Sequence, residues 1–295
     1  MTAVLAVRDL HVAVGRRGGR VKVLRGASLQ IHAGEVRGLV GESGAGKSML
    51  GRAVLGLLPA TAVIVSGSIQ FAGRDLLALP EPDRRQLLGR RVALIPQDPM
   101  TSLNPIRCVG AQIAMVLRHQ LALSKREARD RAATLLAEVA IRDPLRVLKL
   151  YPHEISGGMR QRVLIAMAFA CNPALVIADE PTTALDVTVQ RQVLQLIERL
   201  RRRHGAAVLF VTHDLGLVAK VCRTMTVLHA GRVLEQGETA EVLAKPQHPY
   251  TRALLAATPR ADRPAEALRP VPAALLEDLW SDAHRLDRQV IAGPA

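Results

Sequence analysis

Gly41, Glu42, Ser43, Gly44, Ala45, Gly46, Lys47 and Ser48 follow the spacing G-x-x-x-x-G-K-[ST], with Met49 next in the helix they open. That spacing is chemistry for a polyphosphate. The glycines let the backbone curl until successive N–H groups point inward, and the helix N-terminus adds positive potential. Lys47 can reach the outer phosphates, and Ser48 offers a hydroxyl to Mg²⁺. A second constellation, Leu175-Val176-Ile177-Ala178-Asp179-Glu180, is an apolar run ending in two carboxylates. Asp179 can hold Mg²⁺ through its water shell, while Glu180, one residue on, can polarise an attacking water. A third, Ser156-Gly157-Gly158, opens a long apolar helix whose free N–H donors can receive a γ-phosphate. Together they predict binding and hydrolysis of a nucleoside triphosphate.

Such groups need strand ends and helix starts to hold them. Residues 35–40 read as a short apolar strand running straight into the glycine loop, and residues 47–58 as the helix after it. Further short apolar strands are predicted at 68–71, 92–96, 175–179, 208–212 and 225–229. Helical segments separate most of them, the pattern of a mainly parallel α/β sheet. Residues 4–14 alternate and predict a strand pair entering a sheet. From 105 to 151 the chain turns helical, with a capping box at Ser124-Lys125-Arg126-Glu127. After Lys245 the composition turns to Pro, Ala and Arg, which predicts a loosely packed tail.

The segment Ile155-Ser156-Gly157-Gly158-Met159-Arg160-Gln161-Arg162 resembles the signature of the ABC ATPases, with Ile155 where leucine is usual. The order of the motifs is similar to theirs over residues 4–240. The resemblance implies an α/β fold: a RecA-like P-loop NTPase core with an antiparallel β edge and an inserted helical subdomain near 105–160. It implies a nucleotide-binding domain over 1–245 and a family-specific extension over 246–295, with ATP and Mg²⁺ as ligands. Gln97 matches the glutamine loop that contacts Mg²⁺ and senses the membrane subunits. Asp186, in Thr183-Ala184-Leu185-Asp186, matches the loop that crosses a dimer interface, and His213 matches the switch histidine. On this reading Lys47, Glu180 and His213 serve catalysis, and Ser48, Gln97 and Asp179 hold the metal. Ser156, Gly157, Gly158 and Asp186 belong to the nucleotide site of a composite dimer.

The stretches 95–105, Tyr151-Pro152-His153-Glu154 and 248–255 narrow the resemblance to the dipeptide/oligopeptide importer ATPases, a group that includes nickel, metallophore and glutathione importers. It implies a head-to-tail dimer with a second related ATPase or with itself, two transmembrane permease subunits, and an extracytoplasmic solute-binding protein acting indirectly. The chain would then sit peripherally on the cytoplasmic face of the cell membrane. Residues 261–295 contain no cysteine, so the cysteine-held iron–sulfur cluster found in some relatives is not expected.

Composition sets the remaining bounds. The chain has 295 residues, 49% of them apolar, enough for one substantial core. Aromatics are only 2%, so Leu, Val, Ile and Ala must fill that core. No apolar run reaches the ~18 residues of a membrane span, and residues 1–10 lack the layout of a secretory signal. Cys108, Cys171 and Cys222 lack metal or disulfide spacing and read as buried thiols in a reducing compartment. The formal charge of +14 comes from clusters spread along the chain with almost no aromatics between them to stack bases. They read as solvated faces, with attraction to an anionic membrane surface as the second reading and no nucleic-acid partner expected.

The aromatic ring that the family normally offers to adenine is missing: none lies near Val14, and the first in the chain is Phe71. The triphosphate contacts are indifferent to the base. This subunit is therefore predicted to bind GTP within about tenfold of ATP, or ~1.4 kcal/mol. Titrating the isolated subunit with both nucleotides checks this, and a much larger ATP preference would show another residue reading the base.

Overall fold

The computed structural model describes residues 3–15, 19–183, 186–258 and 270–291. They form two compact units, Met1–Leu79 with Leu209–Ala295, and Pro80–Val208. The chain enters the first unit with β1 (Ala3–Val14), β2 (Val21–His32), β3 (Val36–Val40), α1 (Lys47–Leu55), β4 (Ala62–Phe71) and β5 (Arg74–Asp75). It then builds the second from α2 (Glu81–Arg91), β6 (Val92–Ile95), α3 (Pro99–Ser102), α4 (Val109–Leu121), α5 (Lys125–Glu138), α6 (Pro144–Val147), α7 (Gly157–Phe169), β7 (Leu175–Asp179) and α8 (Val187–His204). β8 (Ala207–Thr212) leads back to the first unit, followed by α9 (Leu215–Val221), β9 (Thr224–His229), β10 (Arg232–Glu238), α10 (Thr239–Ala244), α11 (Pro249–Ala256) and α12 (Ala273–Ile291).

Two sheets organise the first unit. One is antiparallel, in the order β2-β1-β4-β5, and the other carries the order β10-β9-β3-β8. β3 and β9 run parallel, with Arg37 opposite Thr224 and Val40 opposite Val227. Every residue of β8 is buried, as its unbroken apolar run requires of a strand covered on both faces. Helix α9 lies close over β3: a methyl at Gly38 would fall 2.8 Å from Val218 Cγ1. In the second unit β6 and β7 pair in parallel, Val92 opposite Leu175. The capping box at Ser124 forms, with Glu127 reaching back to the Ser124 N–H at 2.9 Å.

Three expectations need correction. Residues 4–14 form one long strand rather than a pair; register shifts between Val7 and Val12 supply the irregularity. Its partner is β2, whose burial alternates over residues 27–32, with Ala27, Leu29 and Ile31 inside. Residues 246–258, the first part of the segment after Lys245, are not loosely packed: Tyr250 and Thr251 are fully buried, and Leu254 and Leu255 nearly so. Four inward residues suffice to dock a two-turn helix even where the composition around it is polar. Of the three free thiols, only Cys222 is buried, and burial pushes it up to about 12; Cys108 and Cys171 are partly exposed. No helix among the described residues is long and apolar enough to cross a membrane.

β3 feeds the glycine loop, and Glu35 fixes its start. One carboxylate oxygen accepts from the His32 N–H at 2.7 Å. The other accepts from Arg37 Nε at 3.1 Å and from the Thr224 hydroxyl on β9. Burial pushes the Glu35 carboxyl up, but these hydrogen bonds and Arg37 outweigh it and hold it below its ordinary value. A carboxylate so depressed contributes stability above its unfolded pKa and loses it as pH falls through the folded one. Glu35→Gln should cost about 1–3 kcal/mol at neutral pH, the worth of charged hydrogen bonds. Thermal melts of variant and wild type should converge as the pH drops below 4.5, the unperturbed value.

Candidate active site

The glycine loop is seated on backbone rather than on side chains. A methyl at Gly41 would lie 2.1 Å from the Leu228 carbonyl oxygen at the end of β9. Gly46, at φ 103°, caps α1, and a methyl there would meet Leu24 and the Val23 carbonyl oxygen at 3.0 and 3.1 Å. The Gly231 N–H donates to the Ala45 carbonyl at 2.9 Å. Lys47 is 6% exposed, and its Nζ donates to the carbonyls of Gly41 at 2.8 Å and Glu42 at 2.9 Å. Ser43 and Gly44 face solvent, while Ser48 and Met49 are half-buried in the first turn of α1. The lysine ammonium is thus held against two carbonyls of the loop, with Ser43 and Gly44 on the exposed side. Tyr250, on α11, closes the inner side: its hydroxyl accepts from the Glu42 N–H at 3.2 Å.

His213, in the same unit, directly follows β8 and is exposed. The helix after it is capped by Asp214, whose carboxylate accepts from the Leu217 N–H at 3.1 Å, which fixes the turn that presents the imidazole.

The second unit gathers a different set. β7 is buried as far as Ala178, and Asp179 is its half-buried end. Glu180 then takes a left-handed φ of 46°, a conformation that costs a non-glycine residue free energy and persists where the surroundings enforce it. Its Oε2 accepts from Gln97 Nε2 at 3.1 Å and from the Thr183 hydroxyl at 2.9 Å. The structure thus brings Gln97 to the carboxylate, with Thr183 as a partner that the sequence marked only as part of the loop before Asp186. Ser156 caps α7, accepting from the Met159 N–H at 3.3 Å. A methyl at Gly157 would meet nothing within 4 Å and one at Gly158 only Val189 at 3.6 Å, so the space beside this helix start is open. Asp186 caps α8, accepting from the Val189 N–H at 2.9 Å.

The oxygens offered by Ser48, Gln97 and Asp179 are hard donors too few to form a cage, and no group of three His, Cys, Asp or Glu side chains that could hold a metal occurs among the described residues. Each is an oxygen of the kind Mg²⁺ takes alongside waters and phosphates, and none is the nitrogen or sulfur donor typical of zinc.

A phosphate loop, a strained acid after a buried strand and a glycine helix start define a P-loop ATPase of the ABC type. The family model described as ABC transporter matches residues 24–183, and the one described as oligopeptide/dipeptide transporter, C-terminal region, matches 234–278. The chain belongs to the ABC transporter ATPases, in the oligopeptide/dipeptide branch. It is 48% identical over 270 residues to the probable D,D-dipeptide transport ATP-binding protein DdpD of Escherichia coli, covering 91% of this chain and 82% of that one. It is 45% identical over 270 residues to the oligopeptide transport ATP-binding protein OppD of the same organism, covering 92% and 80%. Among solved structures, a dimeric bacterial ABC transporter cassette is similar with a TM-score of 0.70 and 25% identity, over 80% of this chain and 98% of that one.

Glu180→Gln keeps the shape of the side chain and an oxygen to accept from Gln97 and Thr183, and removes only the basicity. ATP binding should persist while turnover falls by a factor of about 10²–10⁴, the usual worth of a positioned base. Steady-state phosphate release measures it, and near-wild-type turnover would remove Glu180 from the role.

Proposed function

We propose that this chain binds and hydrolyses ATP to drive an importer for peptides or a related small solute, with Glu180 as the base and residues 41–48 as the phosphate cradle. The observation that carries the reading is Glu180 itself. Its left-handed backbone and its two hydrogen-bonded neighbours supply a carboxylate held in one place at an energetic cost, a feature that clusters at functional sites. In the proposed step a water oxygen attacks the γ-phosphorus as the bond to the β-phosphate oxygen breaks. The water proton passes to the Glu180 carboxylate, and the loop amides and Lys47 neutralise the charge that develops. Mg²⁺, when bound by Ser48, Gln97 and Asp179, supplies additional neutralisation of the phosphate oxygens.

Gly157 and Gly158 begin α7, where the first N–H groups have no intrahelical acceptor, and the space beside them is open. This supports their serving a second cassette's γ-phosphate in a head-to-tail dimer, with His213 beside the same group. The dimeric state of the similar solved cassette supports the same arrangement. Closing and reopening of such a dimer would move two permease subunits on the cytoplasmic face of the membrane. The relatives named above carry dipeptides or oligopeptides; a nickel, metallophore or glutathione cargo is the second reading, because the ATPase subunit does not itself select the solute.

Coupling to the permeases is assigned to the segment after Gln97. Leu103 is 2% exposed, and Asn104 is tied to Gln112 through both its N–H and its carbonyl, so these two residues build the segment rather than face a partner. Met100 and Ile106, 59% and 81% exposed, are the apolar side chains it presents. Replacing both with Asp should cut transport by about tenfold or more, as loss of an interface anchor typically does, while ATP affinity holds. Uptake and nucleotide titration in the reconstituted transporter read the two quantities separately. Equal losses in both would mean that the segment serves only the ATP site.

A further inference from the structure

The C-terminal region is wired into the phosphate loop. Pro249 starts α11, and His248 caps it, with its Nδ1 accepting from the Tyr250 N–H at 3.1 Å. That geometry turns Tyr250 fully inward. Its hydroxyl accepts from the Glu42 N–H at 3.2 Å and donates to Glu42 Oε2 at 3.4 Å. The carbonyl of the same residue is held by Lys47 Nζ at 2.9 Å. Glu42 is therefore gripped on its N–H side by the C-terminal region and on its C=O side by the loop lysine.

Further contacts back the tyrosine. The His229 ring lies 4.6 Å from the Tyr250 ring, and Trp280 of α12 lies 5.9 Å from His229. The Arg25 guanidinium sits 5.7 Å over Trp280, pairs with Asp287 of α12 at 3.0 Å and donates to the Ala230 carbonyl at 2.8 Å. Burial, with the Glu42 carboxylate beside it, pushes the Tyr250 phenol well above its ordinary value, so it stays a neutral group able to donate and accept at once. In a chain with two tyrosines, one is spent entirely inside this contact.

We propose that Tyr250 is a positioning residue of the phosphate loop, holding the Glu42 peptide so that the loop is preorganised for the triphosphate, and that the C-terminal region thereby sets nucleotide affinity. The proposal rests on reading residues 41–48 as the triphosphate site. Lys47 must divide its donors between loop carbonyls and phosphates, whereas the Tyr250 hydroxyl serves the loop alone. Its removal frees the Glu42 N–H inside the fold and lets the loop sample shapes that bind no phosphate, a cost that falls on binding rather than on chemistry.

The test is Tyr250→Phe in the full chain, which keeps the ring and its packing and deletes only the hydroxyl. ATP titration of the subunit should show Kd raised about three- to tenfold, the loss expected for one buried hydrogen bond. In the assembled transporter KM for ATP should rise in step, with kcat at saturating ATP kept within about twofold. A merely structural tyrosine would instead lower the nucleotide-free Tm and leave the ATP Kd unchanged, and that result would overturn the proposal. Hydrogen exchange at the Glu42 amide of the wild type needs no variant: protection without nucleotide is expected, and free exchange would overturn the proposal equally. Wild type in the same titration separates the two readings, because failure of the wild type to bind ATP would sink the phosphate-site assignment itself.

Discussion

The first unit depends on one constraint: the phosphate loop, the turn after β9 and strand β2 approach one another backbone to backbone. Any side chain at Gly41 or Gly231 would put a carbon 2.1 Å from a carbonyl oxygen, Leu228 in one case and Val23 in the other. Because nothing but hydrogen occupies these positions, main-chain hydrogen bonds can run from Gly231 to Ala45 and from Arg25 to Gly231. The loop is thus a continuation of the sheet's own hydrogen bonding. A loop held this way is fixed by the main chain on both sides, with no side chain between it and the sheet.

Charge is managed around that seat with few residues. Lys47 is buried but faces two carbonyls, so its ammonium is hydrogen-bonded as a buried charge must be. Glu35, at the start of the same strand, ties β3 to β9 through Thr224. In the second unit the strained Glu180 is held by Gln97 and Thr183, side chains from either side of β7 in the sequence. Of the chain's basic residues, Lys47 and Arg37 enter these contacts. Several sit instead in local pairs such as those of Arg201 and Arg202 with Glu198, which are worth little on a surface.

The loop and the two carboxylates were legible because their chemistry is local. A phosphate cradle needs glycines and a lysine at fixed spacing on one turn, and an acid at a strand end needs only the strand, as β3, α1 and β7 bear out within a few residues. β10 carried no such signal, and along it no residue is fully buried. In the segment after Gln97 the packing turned Leu103 inward and left Met100 and Ile106 outside. Which way a short irregular segment turns is decided by what it packs on, not by its composition.

The sequence alone determined the class of chemistry, that of an ATP-binding ABC ATPase, since the spacing of residues 41–48 along one loop is a one-dimensional property. It also determined two helix starts, because Ser124 and Ser156 cap by reaching only three residues ahead. Only the tertiary structure decided what supports the loop. Tyr250 lies 208 residues from Glu42, in a segment whose composition read as loose, and Asp287 lies 262 from Arg25. Contacts at such separations follow from how the sheet of the first unit carries the returning chain back beside its beginning, and no local pattern of residue types encodes that path.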